Sequence, residues 1–161
     1  MCTHNGARWV ERQVRSMLEQ TVVPDQIVLS DDASTDDTVA LVEALIAERH
    51  DAGSGIELLV LRNDSPLGVT ANFEQAVRHC NGSVVILSDQ DDEWEAHRVE
   101  AAMELFAADE ELDLVASDAL LIDGELPLDA ASLVVTVLSV AVLALGIVVF
   151  RRASPNFGDE L

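Results

Sequence analysis

Residues 83–94 read Ser83-Val84-Val85-Ile86-Leu87-Ser88-Asp89-Gln90-Asp91-Asp92-Glu93-Trp94. The first five residues form a short apolar, β-branched run, which predicts a buried strand. Helical spacing begins at Glu95, so three aspartates within four positions lie where a strand ends and the chain turns. In open α/β sheets, the carboxyl edge of the strands is where ligands bind. The stretch therefore predicts a ligand site at this edge.

Carboxylates packed this closely repel one another unless a positive charge lies between them. Mg²⁺ and Mn²⁺ take oxygen ligands and commonly keep substrate phosphates in their coordination shell. One interpretation of the aspartates is thus a metal site that binds a diphosphate. The other is a solvated acidic loop, which an acidic chain often produces, and spacing alone does not separate the two.

The rest of the chain alternates short apolar runs with segments of helical spacing. Such alternation predicts βαβ units and a parallel sheet, in which right-handed crossovers place the loops that follow strands on one edge. The loop at Asp31 and Asp32 and the loop at residues 89–92 then share that edge. The pattern predicts strands at residues 26–30, 56–61, 83–87, 112–116 and 120–122, and helices at residues 7–20, 35–49, 69–80 and 95–108.

The net charge of the chain is −21, with 30 acidic residues against nine basic ones, and all nine basic residues are Arg. Nucleic acid is excluded as a partner because its phosphates need a basic patch. The two cysteines, Cys2 and Cys80, have no metal-binding spacing and indicate a reducing compartment. The first residues contain no apolar stretch of the kind found in a signal peptide.

Composition changes sharply near residue 130, because residues 130–150 contain no charged side chain. A helix over residues 131–150 would be about 30 Å long and would match the hydrocarbon core of a bilayer. The alternative is a pair of buried strands, which the Val content suits; length favours a transmembrane helix. The expected organisation is a globular domain (1–125), a linker (126–130), a membrane-spanning helix (131–150) and a polar tail (151–161).

Four blocks of sequence follow one another along the chain. They are Cys2-Thr3-His4-Asn5-Gly6, Ser30-Asp31-Asp32-Ala33-Ser34-Thr35-Asp36, Leu67-Gly68-Val69 with Asn72-Phe73, and Asp89-Gln90-Asp91-Asp92-Glu93-Trp94. In this order they resemble those of the family 2 glycosyltransferases, which have the A-type nucleotide-sugar-binding fold. Each block alone is a weak signal, whereas four in order with matching spacing are specific. The last block is similar to that of the rhamnosyltransferase-like branch. The resemblance covers residues 2–125 and implies an α/β three-layer sandwich with a mostly parallel nucleotide-binding sheet.

The resemblance also implies the site. Asp32, or the adjacent Asp31, would accept a hydrogen bond from an imide or amide N–H of the base, since a carboxylate can only accept. Asp91 would bind Mg²⁺ or Mn²⁺ directly, Asp89 would reach the ribose or a metal-bound water, and Asp92 could substitute in either role. The full nucleotide-sugar-binding set is Cys2, Thr3, His4, Asn5, Asp31, Asp32 and Asp89.

The reaction implied is metal-dependent transfer of a sugar from a UDP- or dTDP-linked donor to a hydroxyl of a glycan or lipid-linked acceptor, such as a cell-surface polysaccharide or glycolipid. The chain departs from the family pattern twice. The family has a strand before the loop that begins here at Cys2, so either the start is mis-called, or the chain is a fragment, or another segment takes the place of that strand. No residue can be assigned as the catalytic base of the acceptor-binding half. The alternative is therefore a non-catalytic remnant that binds nucleotide or metal.

The expected location is a membrane, crossed once. Arg151 and Arg152 favour a cytoplasmic tail by the positive-inside rule, which would place the domain outside. Nucleotide sugars are cytoplasmic, however, and the glycosyltransferase interpretation therefore places the globular domain in the cytoplasm.

Overall fold

The computed structural model of the chain describes residues 1–51 and 55–117. The chain divides into two units, Met1–Glu110 and Glu111–Leu161. Of the second unit, residues 111–117 are described, and they form neither helix nor strand. The prediction of a strand at residues 112–116 is therefore wrong, because no described strand pairs with this segment.

The first unit is built on three parallel strands in the order β1-β2-β3, namely β1 (Cys2–Thr3), β2 (Gln26–Asp31) and β3 (Glu57–Arg62). Cys2 pairs with Ser30 at the β1–β2 boundary, and the six residues of β2 pair in sequence with those of β3. No strand was predicted at residues 2–3, and these two residues nevertheless extend the sheet. The parallel sheet itself is confirmed.

Two helices cover one face of the sheet. These are α1 (Val10–Leu18) and α2 (Thr38–Asp51), which pack against each other and bury the side chains of Ile27 and Leu29. Leu29 is completely buried. Burial of such a side chain contributes about 1.5–3 kcal/mol to folding.

The opposite face carries α3 (Val69–Arg78), which packs on β2 and β1 around Val28 and Ala76. Side chains of successive β2 residues point to alternate faces, so one strand supplies both cores. The result is the predicted three-layer arrangement. The fourth helix, α4 (Arg98–Ala108), joins the α1 side through Val99.

Residues 83–87 do not form the predicted strand, although the turn that follows them begins where it was expected. The backbone N–H of Cys2 donates to the carbonyl of Ser88 at 3.1 Å, and this bond joins β1 to the segment's end. Because β1 has only two residues, residues 83–87 have too short a neighbouring strand to form a ladder of backbone hydrogen bonds. Val85 and Leu87 consequently remain 42% and 55% exposed.

Several predictions fall outside the described residues: the short strand at 120–122, the linker at 126–130, the membrane-spanning helix at 131–150 and the tail at 151–161. No helix within residues 1–51 and 55–117 has both the length and the apolar character that crossing a bilayer requires.

Candidate functional site

Three loops meet at the carboxyl edge of the sheet: the loop after β1, the loop after β2 and the acidic turn at residues 88–94. The side chain of His4 joins the first two loops, since its Nδ1 lies 2.6 Å from the carbonyl oxygen of Asp32. The backbone of His4 joins the first loop to the third, since its N–H donates to Gln90 Oε1 at 2.8 Å. The predicted convergence of the two acidic loops on one edge is therefore present in the described structure.

Asp31 is buried and supports the turn after β2. Its Oδ1 accepts hydrogen bonds from the hydroxyls of Thr3 at 2.7 Å and Ser34 at 2.5 Å. Its Oδ2 accepts the backbone N–H of Ser34 at 2.9 Å. Since these donors all belong to the fold, Asp31 holds the loop in shape, and its predicted contact with a nucleotide stays a prediction.

Asp32 fixes the loop that leads into α3. Its Oδ1 accepts the N–H of Leu67 at 2.6 Å and the amide of Asn63 at 3.2 Å, and its Oδ2 accepts the N–H of Gly68 at 2.9 Å. Burial raises the pKa of this carboxyl, but the three hydrogen bonds outweigh burial, so the pKa lies below its ordinary value. Three donors leave one of about four acceptor positions on an ionised carboxylate available.

The ring of His4 is held in one tautomer by its neighbours. Thr35 N–H donates to Asn5 Oδ1 at 2.9 Å, which turns the Asn5 amide nitrogen toward His4 Nε2 at 3.1 Å. His4 Nε2 must then accept, and Nδ1–H must donate to the Asp32 carbonyl. Asn5 reaches these partners with φ +47°, in the left-handed region that Asn tolerates better than most residues.

Cys2 and Thr3 lie beneath the loops and are both buried. Burial raises the pKa of the Cys2 thiol to about 11. The thiol therefore stays protonated at neutral pH and is not a nucleophile. Thr3 uses its hydroxyl on Asp31. Both residues support the loop after β1 from below.

The acidic turn is tied to earlier parts of the chain at both ends and in its middle. Because these contacts involve four of its seven residues, the turn has a defined position relative to α1 and β1. The contacts are Gln13 Nε2 to Ser88 Oγ at 2.5 Å, Gln90 to the His4 backbone, Arg12 to Glu93 at 2.7 Å, and the backbone N–H of Trp94 to Ser16 Oγ at 2.9 Å.

The remaining residues of the turn are Asp89, Asp91 and Asp92. Within the described chain, no side chain or amide donates a hydrogen bond to their carboxylates. Burial raises the pKa of the Asp89 carboxyl, and the negative charges of Asp92 and Asp91 raise it further. The N-terminal ammonium of Met1 opposes this rise in the pKa of Asp89 but does not cancel it. Neighbouring carboxylates of this kind are a donor set that suits a hard divalent cation.

In the described part of the chain, no three His, Cys, Asp or Glu side chains are already arranged to hold a metal ion. Mg²⁺ sites that bind substrate phosphates commonly use only one or two protein carboxylates, with waters and phosphate oxygens completing the shell. The carboxylates of the turn therefore fit this type of site.

Sequence reasoning left several residues of this edge without a role. Asn63, Leu67 and Gly68 hold Asp32, and Asn72 exchanges two hydrogen bonds with Ser30, at 2.6 Å and 2.9 Å. Gly68, Leu67 and Asn72 stood in a recognised block of sequence, so the block was a usable signal. The contact of Leu67 and Gly68 with Asp32 depends on how α3 crosses the sheet, and spacing along the chain does not reveal that crossing.

The fold and the site thus define an α/β domain in which three loops meet at one edge of a parallel sheet. The family model described as Glycosyl transferase family 2 matches residues 1–124. The chain belongs to this family.

Two curated relatives share the same region. The dTDP-rhamnosyl transferase RfbG of Shigella flexneri is 33% identical over 107 residues, which make up 65% of this chain and 36% of that protein. Chondroitin synthase of Escherichia coli is 30% identical over 106 residues, which make up 66% of this chain and 14% of that protein. The matched region is thus at most about a third of the length of these relatives.

Two solved structures share the fold. The mannosyltransferase PcManGT of Pyrobaculum calidifontis, in complex with GDP-Man and Mn²⁺, superposes with a TM-score of 0.58 at 28% identity over 66% of this chain and 30% of that one. S. aureus TarS 1-349, in complex with UDP, superposes with a TM-score of 0.55 at 22% identity, again over 66% of this chain and 30% of that one. At that identity TarS supports the fold alone.

Proposed function

We propose that residues 1–125 bind a nucleoside-diphosphate sugar and that the protein transfers its sugar to a hydroxyl acceptor. The observation that carries the proposal is the meeting of Asp32 and the acidic turn on either side of His4, at 2.6 Å and 2.8 Å. This arrangement offers a base-binding acceptor and a group of anions at one edge. The names of the relatives, which include rhamnosyl and mannosyl transferases, support the same reaction class.

On the nucleoside side, Asp32 is the acceptor for the base. Its orientation is fixed by Leu67 and Gly68, and its lowered pKa keeps it ionised at neutral pH. An ionised carboxylate cannot donate, so it favours uracil or thymine, which carry an imide N–H, over cytosine, which has a ring acceptor at that position. UDP- or dTDP-linked sugars are therefore the proposed donors.

On the diphosphate side, Asp91 would hold Mg²⁺ or Mn²⁺, with Asp89 or Asp92 as the second carboxylate. The bound cation would supply Lewis-acid stabilisation of charge on the departing diphosphate. The protein's own contribution is to keep these carboxylates in place through the ties of Ser88, Glu93 and the residues between them. The acceptor is proposed to be a glycan or a lipid-linked glycan.

Calorimetric titration with four diphosphates tests the proposal. We expect UDP and dTDP to bind in the presence of Mn²⁺ and CDP to bind at least tenfold more weakly, about 1.4 kcal/mol, since the imide N–H is the feature that Asp32 reads. GDP, which carries an amide N–H, tests the fit of a larger base. Asp32→Asn should narrow the difference between UDP and CDP, because an amide can donate to cytosine.

The metal side has its own control. Asp91→Asn keeps the size of the side chain and removes its charge, so it should abolish the gain in UDP affinity that Mn²⁺ provides. Asp64→Asn, at an exposed aspartate in the loop before α3, changes the same charge elsewhere and should leave that gain intact. The proposal would be refuted if UDP and CDP bound with equal affinity and if Mn²⁺ did not change the affinity for UDP. Binding without any product from a nucleotide-sugar donor would support the non-catalytic alternative.

We further propose that residues 131–150 cross a membrane once, with the globular domain in the cytoplasm. The support is the length of this uncharged stretch and the cytoplasmic supply of nucleotide sugars. Membrane fractionation followed by protease treatment of sealed vesicles tests it. The domain should sediment with membranes and be digested only from the cytoplasmic side; recovery in the soluble fraction would contradict the proposal.

A further inference from the structure

The side chain of Gln90 bridges the acidic turn and the loop after β1. Its Oε1 accepts the backbone N–H of His4 at 2.8 Å, and its Nε2 donates to the carbonyl of the same residue at 3.2 Å. One amide group thus satisfies both polar groups of one backbone residue, as a neighbouring strand would. We call this pair of hydrogen bonds the Gln90 bridge.

Gly6 shows how closely this bridge is packed. A Cβ at Gly6 would lie 2.2 Å from Gln90 Oε1 and 2.6 Å from Gln90 Cδ. Gly6 is not among the residues with positive φ, so its backbone would accept alanine. The three atoms nearest to such a Cβ all belong to Gln90, so a larger residue at this position would displace the Gln90 side chain.

The bridge continues through His4 to the nucleoside side of the site. The His4 ring donates from Nδ1 to the Asp32 carbonyl, and the Asp32 carboxylate is fixed by Leu67 and Gly68. The acidic turn and Asp32 are far apart in the sequence, so contacts between side chains and backbone must hold them together. Gln90 is the link in the middle of the acidic turn, between the contacts at its two ends, that joins the carboxylates of the turn to Asp32 through His4.

We propose that Gln90 is a positioning residue that couples cation binding to nucleotide binding. The inference rests on the proposed function and adds to it the residue that aligns the two halves of the site. A cation on the acidic turn improves nucleotide affinity only if it lies where the diphosphate arrives. The bridge holds the turn in that place while its aspartates repel one another.

The strength of the coupling is measurable as a ratio: the dissociation constant of UDP without Mn²⁺ divided by that with Mn²⁺. By linkage, UDP must raise the affinity for Mn²⁺ by the same factor. The site is partly exposed, so water can replace the lost partners of the two hydrogen bonds. The net loss of free energy is then about that of one hydrogen bond, and we expect the ratio to fall about tenfold without the bridge.

The experiment compares the full chain with Gln90→Met, which keeps the length of the side chain and removes its polar atoms. The matched control is Gln26→Met. Gln26 also ties a loop through its side chain, accepting the N–H of Asn81 at 3.0 Å, but it lies at the start of β2, on the opposite edge of the sheet. We expect the ratio to fall in Gln90→Met and to stay unchanged in Gln26→Met.

A second pair of variants tests the geometry. Gly6→Ala should displace the Gln90 amide and lower the ratio as Gln90→Met does. In a Gln90→Ala background the same Gly6→Ala change should have a much smaller effect, since the two closest atoms are gone and only the Cβ of residue 90, at 3.3 Å, remains. Equal effects of Gly6→Ala in both backgrounds would overturn the proposal.

Hydrogen exchange at the His4 amide provides a readout without ligand. Exchange should be faster in Gln90→Met than in the unaltered chain, and unaltered in Gln26→Met. If the chain binds neither UDP nor Mn²⁺, the proposed function fails and the coupling with it. If it binds both and Gln90→Met keeps the full ratio, the coupling alone is wrong and the proposed function stands.

Discussion

Replacement of Asp32 by alanine should destabilise the first unit even without ligand. Its carboxylate accepts three hydrogen bonds, of 2.6, 2.9 and 3.2 Å, and is only 7% exposed. Leu67 and Gly68 are exposed, so water can replace the carboxylate at their N–H groups, which limits the cost to about 1 kcal/mol for each backbone bond. With a smaller loss at Asn63, we expect about 2–3 kcal/mol in total.

This loss corresponds to a fall of about 10 °C in Tm for a unit of this size. Thermal unfolding monitored by circular dichroism at pH 7 measures it. Asp32→Asn keeps an acceptor for Leu67 but places an NH₂ group against the N–H of Gly68, so it should lose a part of the same stability. A change of less than 2 °C in Asp32→Ala would refute the assigned role.

The pH dependence gives the same prediction a second, independent form. The pKa of Asp32 is lower in the folded chain than its ordinary value, so its contribution is fully present above the unfolded pKa of about 3.9. The contribution is lost as the pH falls through the folded value. The difference in stability between the unaltered chain and Asp32→Ala should therefore shrink below about pH 4. A difference that stays constant to lower pH would show that ionisation of Asp32 is not its source.

Three further predictions concern other parts of the unit. Asp89→Asn should raise Tm by about 2 °C at pH 7 without metal, since burial and the charges of Asp92 and Asp91 raise the pKa of this carboxyl and its ionisation opposes folding; a lower Tm would contradict this. Ala33→Gly should stabilise the chain by about 0.5 kcal/mol, because Ala33 has φ +62°. In α2, the same change at the exposed Ala47 should instead cost about 1 kcal/mol. The argument would be refuted if the two substitutions changed the free energy of unfolding in the same direction. Leu29→Ala should cost about 2–5 kcal/mol in denaturant unfolding, and a cost below 1 kcal/mol would mean that Leu29 is not in the core.

Periodicity in the sequence was sufficient for the main elements of the first unit. β2, β3 and the four helices lie within a few residues of their predicted bounds, because each has an apolar face that the core needs. The helix after β2 begins at Thr38, whose N–H donates to Asp36 at 3.1 Å, rather than at the predicted residue 35. The hydroxyl of Ser34 donates a hydrogen bond to Asp31, a contact that the local sequence pattern does not predict.

The predicted strand at residues 83–87 shows the limit of such reasoning. Its β-branched composition suits a strand, but a strand also needs a partner along its length, and β1 offers only two residues. Pairing is a property of two distant segments, so composition in one of them cannot determine it. The same holds for the site. The aspartates could be identified in the sequence, whereas the roles of Gln90, Asn63 and Gly68 depend on contacts between loops that are far apart in the sequence.

The most direct test of the account is an anomalous difference map from crystals of the protein grown with Mn²⁺ and UDP. The account predicts one manganese peak that contacts the Asp91 carboxylate and the UDP diphosphate, with the uracil imide N–H directed at Asp32. A manganese peak remote from the acidic turn, or UDP bound on another surface, would contradict it.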